Sequence, residues 1–359
     1  MAIKGNRGEW SETYAFLRLL ADGKLFAADE QLNKMSSMFF PILRVLREEV
    51  TNSKYEYCPD SENSKVHIYL NDKQVASLPA KEFDMEAKQL FNDISGRKAG
   101  NGAFDIPSTE AFIRRIYVNK LKAPSKNKAD INIQVHDVHT GYENIVGFSI
   151  KSELGSAPTL LNAGRTTNFI YTVKGLKPNL ILKINAIDTD RKIKDRIKAI
   201  NDNGGELCYR TMENATFKNN LTMIDSQMPN IIAQMLIGYY SETANDCAAL
   251  TDYVSGINPL SHNKDFYCHK VKELLSAVAL GMKPATPWNG SEEASGGYII
   301  VKTNGDVLAY HLYNRDAFRS YLLNNTKFES GGSTRHQYAS LYEEDGEVRI
   351  KLNLQVRFL

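Results

Sequence analysis

The sequence predicts a mixed α/β (α+β) fold: a mixed sheet flanked by helices, with a helical N-terminal part and a β-rich C-terminal part. Three observations lead there. In residues 8–20, Trp10, Tyr14, Leu17 and Leu20 recur at helical spacing and define one apolar stripe. Residues 130–151 alternate apolar and polar on both sides of Thr140 and Gly141, the period of paired strands. Two more alternating pairs close the chain, around Asn304-Gly305 and Asp345-Gly346, dipeptides that accept the left-handed φ of tight hairpin turns.

Length and composition set bounds before any motif is read. A chain of 359 residues can bury a sizeable core as one large domain or two. The formal net charge of +2 carries no global signal, so a polyanionic partner has to be met by a local basic surface. Cys58, Cys208, Cys247 and Cys268 are scattered without C-x-x-C spacing, which fits reduced thiols of a cytoplasmic protein better than a structural zinc. His262, Cys268 and His269 read as a polar helix start and a packed thiol. No stretch approaches the run of about 20 apolar residues that a membrane span needs, and the first residues do not form a signal peptide.

Taken in order, the helix of residues 8–20 carries Glu9 and Glu12 three positions apart, close enough to act together. Two acids in a first turn also simply suit the helix dipole. Residues 41–49 read as a second helix with Pro41 near its start. Residues 65–78 are two alternating runs about Asn71-Asp72, a hairpin, followed by an amphipathic helix over 82–94 closed by Ser95-Gly96. Residues 97–105 form a loop, not a phosphate loop, because no Gly-Lys-Ser/Thr ending is present. A helix over 108–121 buries Phe112, Ile113, Ile116 and Tyr117.

Residues 111–129 contain no acid, while Arg114, Arg115, Lys120, Lys122, Lys126 and Lys128 are basic. Such a run is usually a solvated face, and its place before Asp130 also suits phosphate contact. Residues 155–169 concentrate hydroxyls, amides and one arginine ahead of a strand near 169–173. Residues 180–187 read as a strand, 191–200 as a basic helix, 224–240 and 270–280 as core helices, 316–324 as a helix, and 330–336 as a polar loop.

The central hairpin carries the chemistry. With Thr140 and Gly141 as the loop, Ile131 faces Ile150, Ile133 faces Phe148 and Val135 faces Val146 on one side. On the other side Asp130 lies opposite Lys151 and Asn132 opposite Ser149, with Glu153 following on the same face. A shift of two residues keeps these faces and changes the neighbours. An aspartate and a lysine on paired strands are often only a surface ion pair. Beside a basic face they are also what a Mg²⁺-dependent phosphodiesterase needs, a carboxylate for a hard cation and a lysine to offset charge or orient the nucleophile. The spacing resembles the PD-(D/E)xK nuclease motif, with Asp130 as first acid and Ser149-Ile150-Lys151 in the place of (D/E)xK. Ser149 stands where that motif has an acid, so another carboxylate has to complete the site. Glu9 and Glu153 rank level for that role and Glu12 next, which makes Asp130, Glu153 and Glu9 the expected metal ligands. Asp137, at the loop end on the apolar side, ranks low.

Longer phrases carry a wider resemblance: GEWSE from residue 8, GFSIKSELGSAPTLLNAGRTTNF from residue 147, and YHLYNRDAFRSYLLNNTKFES, STRHQY and IKLNLQVRF toward the end. Over nearly the whole chain these resemble the HpaII-type family of type II restriction endonucleases. The resemblance implies a hydrolase of a restriction–modification system that uses Mg²⁺ to cut both strands of unmodified double-stranded DNA at a short palindrome. That palindrome is CCGG if the chain follows the family's type member. A cognate DNA methyltransferase would be the functional partner, and a palindromic cut suggests a homodimer. On this reading residues 1–105 are an N-terminal helical/hairpin region, 106–205 the catalytic nuclease core, and 206–359 the DNA-recognition and C-terminal sheet region, unless all form one compact domain. Arg335 and His336 in the late loop, with Arg165, Asn162, Thr167 and Asn168 after the catalytic strand, are the candidate DNA contacts, since arginine can read guanine bidentately. Two alternatives stay open: a sequence-specific DNA-binding protein with a degenerate, inactive nuclease site, for which Ser149 argues, and a non-nuclease α/β protein in which Asp130 and Lys151 form an ion pair.

Overall fold

A computed structural model of the chain describes residues 2–49, 53–97, 102–121, 129–137, 141, 143–311 and 315–359. The first elements are α1 (Arg7–Asp22), β1 (Lys24–Ala28), β2 (Lys34–Glu48), β3 (Lys54–Asp60), β4 (Lys65–Leu70), β5 (Lys73–Pro79), α2 (Ala80–Ser95) and α3 (Pro107–Arg115). Next come β6 (Ile131–Val135), β7 (Ile145–Ser152), β8 (Thr159–Leu161), β9 (Asn168–Lys174), α4 (Ile181–Asn185), α5 (Lys192–Asp202) and β10 (Glu206–Met212). Four helices follow, α6 (Ala215–Ile224), α7 (Met228–Tyr240), α8 (Cys247–Ile257) and α9 (Lys264–Leu280), then β11 (Gly297–Val301) and β12 (Val307–His311). The chain ends with α10 (Arg315–Asn324), β13 (Thr326–Phe328), α11 (Ser333–His336), β14 (Leu341–Glu344), β15 (Glu347–Asn353) and β16 (Val356–Phe358). The mixed α/β fold is therefore present, in two compact units: Met1–Pro158 with Glu292–Phe318, and Thr159–Ser291 with Arg319–Leu359.

The first unit is a nine-stranded mixed sheet in the order β1-β12-β11-β7-β6-β2-β3-β4-β5. β1 also pairs with β2, so six of these strands form a continuous ring of pairings. β7 lies inside the sheet, antiparallel to β6 and parallel to β11. Helix α1 forms where expected, because its Trp10, Tyr14, Leu17 and Leu20 are all buried in the core of this unit. Gly23 ends it in the left-handed conformation (φ 62°), a backbone state that glycine adopts without a Cβ penalty. The Asn71-Asp72 hairpin is also present, both residues having positive φ between β4 and β5. Of residues 41–49, expected as a helix, 41–48 continue strand β2 instead. Val45 pairs with Ile133 on one side and Tyr57 on the other, and this two-sided pairing overrides local helical propensity. Pro41 sits where β2 leaves β1 and joins β6, a place where its missing N–H costs the ladder little. The helix expected over 108–121 stops at Arg115, and Tyr117 turns out of it with φ 65°.

The second unit holds a four-stranded sheet, β10-β9-β15-β14, and a three-stranded one, β13-β16-β8. The apolar helix α7 is buried almost all round, as its near-continuous hydrophobic sequence requires. Residues 181–185, expected as a strand, form the short helix α4 after a 3-10 turn that starts at Pro178. The reason is tertiary. Only Ile184 of α4 is buried, and Arg196 of α5 donates to the carbonyls of Asn185 and Ile187 at the helix end, so no strand edge is needed to satisfy them. The Asp345-Gly346 hairpin joins β14 to β15 with positive φ at both turn residues. Among the described residues no helix is long and apolar enough to cross a membrane.

Candidate active site

The pairing of β6 with β7 sets the site. Ile131 lies opposite Phe148, Asn132 opposite Gly147, Ile133 opposite Val146 and Gln134 opposite Ile145. This register is two residues away from the one a two-residue loop at Thr140 and Gly141 dictates. The ladder ends at Gln134 and Ile145, and the longer connection contains a bond from the Gly141 N–H to the Asp137 carbonyl at 2.7 Å. Thr140 lies outside the described residues. The faces are those expected and the neighbours are not: Asp130 meets Ser149 rather than Lys151. Gly147 permits the close pairing, since a Cβ there would come within 2.7 Å of the Ala129 Cβ.

Asp130 Oδ2 accepts two hydrogen bonds, from the Ile150 N–H at 2.7 Å and the Ser149 hydroxyl at 3.0 Å. The Lys151 ammonium donates to the same Ser149 Oγ, also at 3.0 Å. The direction of each bond is forced: an ammonium only donates, a carboxylate only accepts, and a hydroxyl can do both. An acid at position 149 could not donate to Asp130 without holding a proton. Ser149, buried to 1 % exposure, therefore links lysine to aspartate where a second carboxylate would repel the first. Asp130 Oδ1 has no hydrogen-bond partner among the described residues.

Helix α1 forms the facing wall. Ser152 Oγ donates to Ser11 Oγ at 2.9 Å, Ser11 Oγ donates to the Arg7 carbonyl at 2.8 Å, and Arg7 Nη1 donates to the Leu154 carbonyl at 2.8 Å. These bonds hold the start of α1 against the end of β7. A cavity of about 510 Å³ opens there, lined by Asn6, Arg7, Glu12, Lys151 and Ser152 together with the 155–158 turn. Glu12 thus shares a cavity with Lys151. Arg7 brings a second cation to it, which no motif in the sequence marked; its placement depends on how α1 docks.

Glu9 and Glu153 each engage one carboxylate oxygen away from the cavity. The Glu9 carboxylate accepts from the Asn6 N–H at 2.8 Å while Asn6 Oδ1 accepts from the Glu9 N–H at 3.0 Å, a capping box that closes α1. The spacing Asn6-x-x-Glu9 is itself the sequence signal for that role. Glu153 is exposed and accepts from the Thr303 N–H at 3.2 Å, at the turn between β11 and β12. Among the described residues no group of three or more His, Cys, Asp or Glu is arranged around a metal position. A Mg²⁺ ion commonly uses only one or two protein carboxylates and keeps several waters. Asp130 keeps one oxygen without a partner among the described residues, and Glu12 lines the cavity beside Lys151.

Of the basic run before Asp130, Arg114 pairs with Glu110 and Arg115 with Glu82, while Lys122, Lys126 and Lys128 lie outside the described residues. The remaining candidates lie in the second unit. Arg335 is exposed on α11, and Asn162 is exposed after β8. Arg165 is exposed and pairs with Glu213 at 2.9 Å. Thr167 and Asn168 are buried: Asn168 Nδ2 donates to Glu213 Oε2 at 2.7 Å and to the His336 carbonyl at 2.9 Å, and Asn353 Nδ2 donates to Asn168 Oδ1 at 2.7 Å and Thr167 Oγ1 at 3.1 Å. Burial raises the Glu213 carboxyl, but the bonds from Asn168, Arg165 and Lys351 outweigh it and hold the group below its ordinary range. From these positions Thr167 and Asn168 brace the backbone carrying Arg165 and His336 and do not themselves reach the surface.

A family model described as HpaII restriction endonuclease matches residues 6–358. The type II restriction enzyme HpaII of Haemophilus parainfluenzae is 42 % identical over 361 residues, covering 99 % of each chain. No solved structure matches.

Proposed function

The chain belongs to the HpaII restriction endonuclease family, and on that basis we propose that it is a type II restriction endonuclease that hydrolyses phosphodiester bonds of double-stranded DNA at a short palindrome. The observation that supports this most is the Lys151–Ser149–Asp130 hydrogen-bonded chain at the end of β7, beside a cavity that also contains Glu12 and Arg7. We read it as a PD-(D/E)xK-type site in which Glu12 of helix α1 takes the place of the acid missing at position 149. Asp130 and Glu12 would hold a Mg²⁺ ion. Such an ion polarises phosphate oxygens and lowers the pKa of bound water. The protein's own groups orient the reaction. Ser149 fixes the Lys151 ammonium, and Lys151 with Arg7 gives the cavity the positive charge that a phosphate requires. The Ile150 N–H and the Ser149 hydroxyl keep Asp130 in a single orientation.

The finer parts of the proposal follow from the family. CCGG is the expected site, a two-fold dimer the expected assembly because a symmetric site calls for symmetric subunits, and the cytoplasm the expected location, with a methyltransferase protecting host DNA. Incubation with unmethylated plasmid and Mg²⁺, followed by sequencing of the ends, tests the activity and the site together. Discrete fragments ending at one palindrome are expected, and chelation with EDTA should stop the reaction. Lys151→Ala should abolish cutting and leave binding largely intact; a fully active variant would remove Lys151 from the site. Ser149 favours a second reading, a binding protein without catalysis, for which tight and salt-sensitive binding without any cut is the expected result.

A further inference from the structure

The second unit presents a short surface segment whose construction is unusual for a loop. Gln337 ends α11 in the left-handed conformation, φ 54° and ψ 55°, and Ala339 two residues later has φ 68°. Glycine or asparagine takes this conformation readily, whereas other side chains are strained in it and persist only where the surroundings over-determine them. Here they do. The Tyr338 N–H donates to the Ser333 carbonyl at 3.2 Å, and the Ala339 N–H to the Lys351 carbonyl at 2.8 Å. Asn168 Nδ2 holds the His336 carbonyl from beneath, and Arg196 Nη1 donates to the Ala339 carbonyl at 2.8 Å and to Ser340 Oγ at 3.2 Å. Tyr338 is buried against Tyr240, whose hydroxyl donates to the Asn353 carbonyl at 3.0 Å.

This framework fixes the backbone on both sides of Gln337 and leaves its side chain outside. Gln337 and Arg335 are both exposed, and among the described residues neither the amide nor the guanidinium has a hydrogen-bond partner. Gln337 lines a cavity of about 440 Å³ with Tyr342, Lys192 and Lys351 in its wall, Lys192 pairing with Asp188 and Lys351 with Glu213. A second cavity, of about 710 Å³, includes Arg335 with Asp190, and also Arg191 and Lys194, which both pair with Glu242. A rigid turn presenting an amide and a guanidinium, neither committed to a partner among the described residues, has the chemistry of a nucleic-acid reader: planar, bidentate groups for base edges, with the Arg335 charge also suited to a phosphate.

Resting on the reading that this chain cuts DNA at a specific site, we infer that Gln337 is a specificity-determining residue that contacts a base edge in each half-site, with its left-handed backbone retained for the sake of that side chain. The test compares Gln337→Gly with Ala339→Gly in the full-length protein. Both substitutions relieve the same kind of strain, but only the first removes a hydrogen-bonding side chain. Three quantities are read: the thermal midpoint, salt-dependent binding to non-specific duplex, and cleavage of a set of duplexes carrying each single base-pair change in the wild-type site.

The expected result is a thermal midpoint unchanged or raised in both variants, with non-specific binding also unchanged. Discrimination should fall by about tenfold or more at one base pair of the half-site in Gln337→Gly alone. Discrimination at the wild-type level in Gln337→Gly overturns the inference. So does a parallel fall of midpoint and cleavage, which would make Gln337 a structural residue. Absence of site-specific cutting by the wild-type protein instead removes the nuclease reading, and the wild-type reaction reports that independently of either variant.

Discussion

Exchanging the three candidate glutamates one at a time separates catalysis from helix capping. Glu9→Gln keeps an oxygen for the Asn6 N–H, so the capping box survives as its Gln form. What it loses is a negative charge in the first turn of α1, about 0.3–1 kcal/mol. Glu12→Gln lies one turn further on, in the wall of the cavity, and keeps the length and one oxygen of the side chain. Its catalytic effect should nonetheless be large. A cation clamp contributes several kcal/mol to the transition state, and at about 1.4 kcal/mol per tenfold a loss of 3–4 kcal/mol slows cutting by roughly 10²–10³. Glu153→Gln, at the β11–β12 turn, should cut at nearly the wild-type rate. The assay is single-turnover cleavage of one plasmid at fixed Mg²⁺, with urea melts of the same samples. If Glu9→Gln or Glu153→Gln proves as inactive as Glu12→Gln while its melt is intact, or if Glu12→Gln is fully active, the assignment of the second acid to Glu12 is wrong.

Ser149→Ala removes the link between Lys151 and Asp130. Bonds to charged groups are worth about 1.5–3 kcal/mol, but Lys151 is only half-buried and can rehydrate, so a melt loss of about 1–2 kcal/mol and a roughly tenfold slower cut are expected with DNA binding unchanged. Burial pushes the Tyr14, Tyr209 and Tyr338 hydroxyls up to about 12 from 10.0. These groups hold their protons in the folded chain while the unfolded chain loses them, so their contribution is intact below pH 10 and is lost as pH rises from 10 to 12. Urea melts between pH 8 and 12 should show the decline starting near pH 10, and a decline already complete by pH 9 would contradict it. Leu17→Ala, at a fully buried position of α1, should cost about 2–5 kcal/mol in a urea melt. A cost under 1 kcal/mol would mean that α1 is not packed as described.

Much of this protein follows from local rules. The amphipathic stripe of α1, the hairpins at Asn71-Asp72, Asn304-Gly305 and Asp345-Gly346, and the pairing of β6 with β7 are written in side-chain period and turn chemistry, which act over a few residues. Alternation alone can bring Asp130 and Lys151 to one face, and the spacing Asn6-x-x-Glu9 is itself the signal of the capping box that closes α1. Tertiary structure decided the rest. The segment at 41–49 became a strand because two neighbours paired with it, and 181–185 became a helix because Arg196 satisfied its end. Alternation specifies a strand's face but not its register, which is fixed by the length of the connection; a slip of two residues preserves every face, and so only the fold could place Ser149 between Asp130 and Lys151. The docking of α1 on β7 through Ser11 and Ser152 is a contact between residues 141 positions apart. Nothing local to Glu12 encodes it, and it is that contact which brings Glu12 to the cavity.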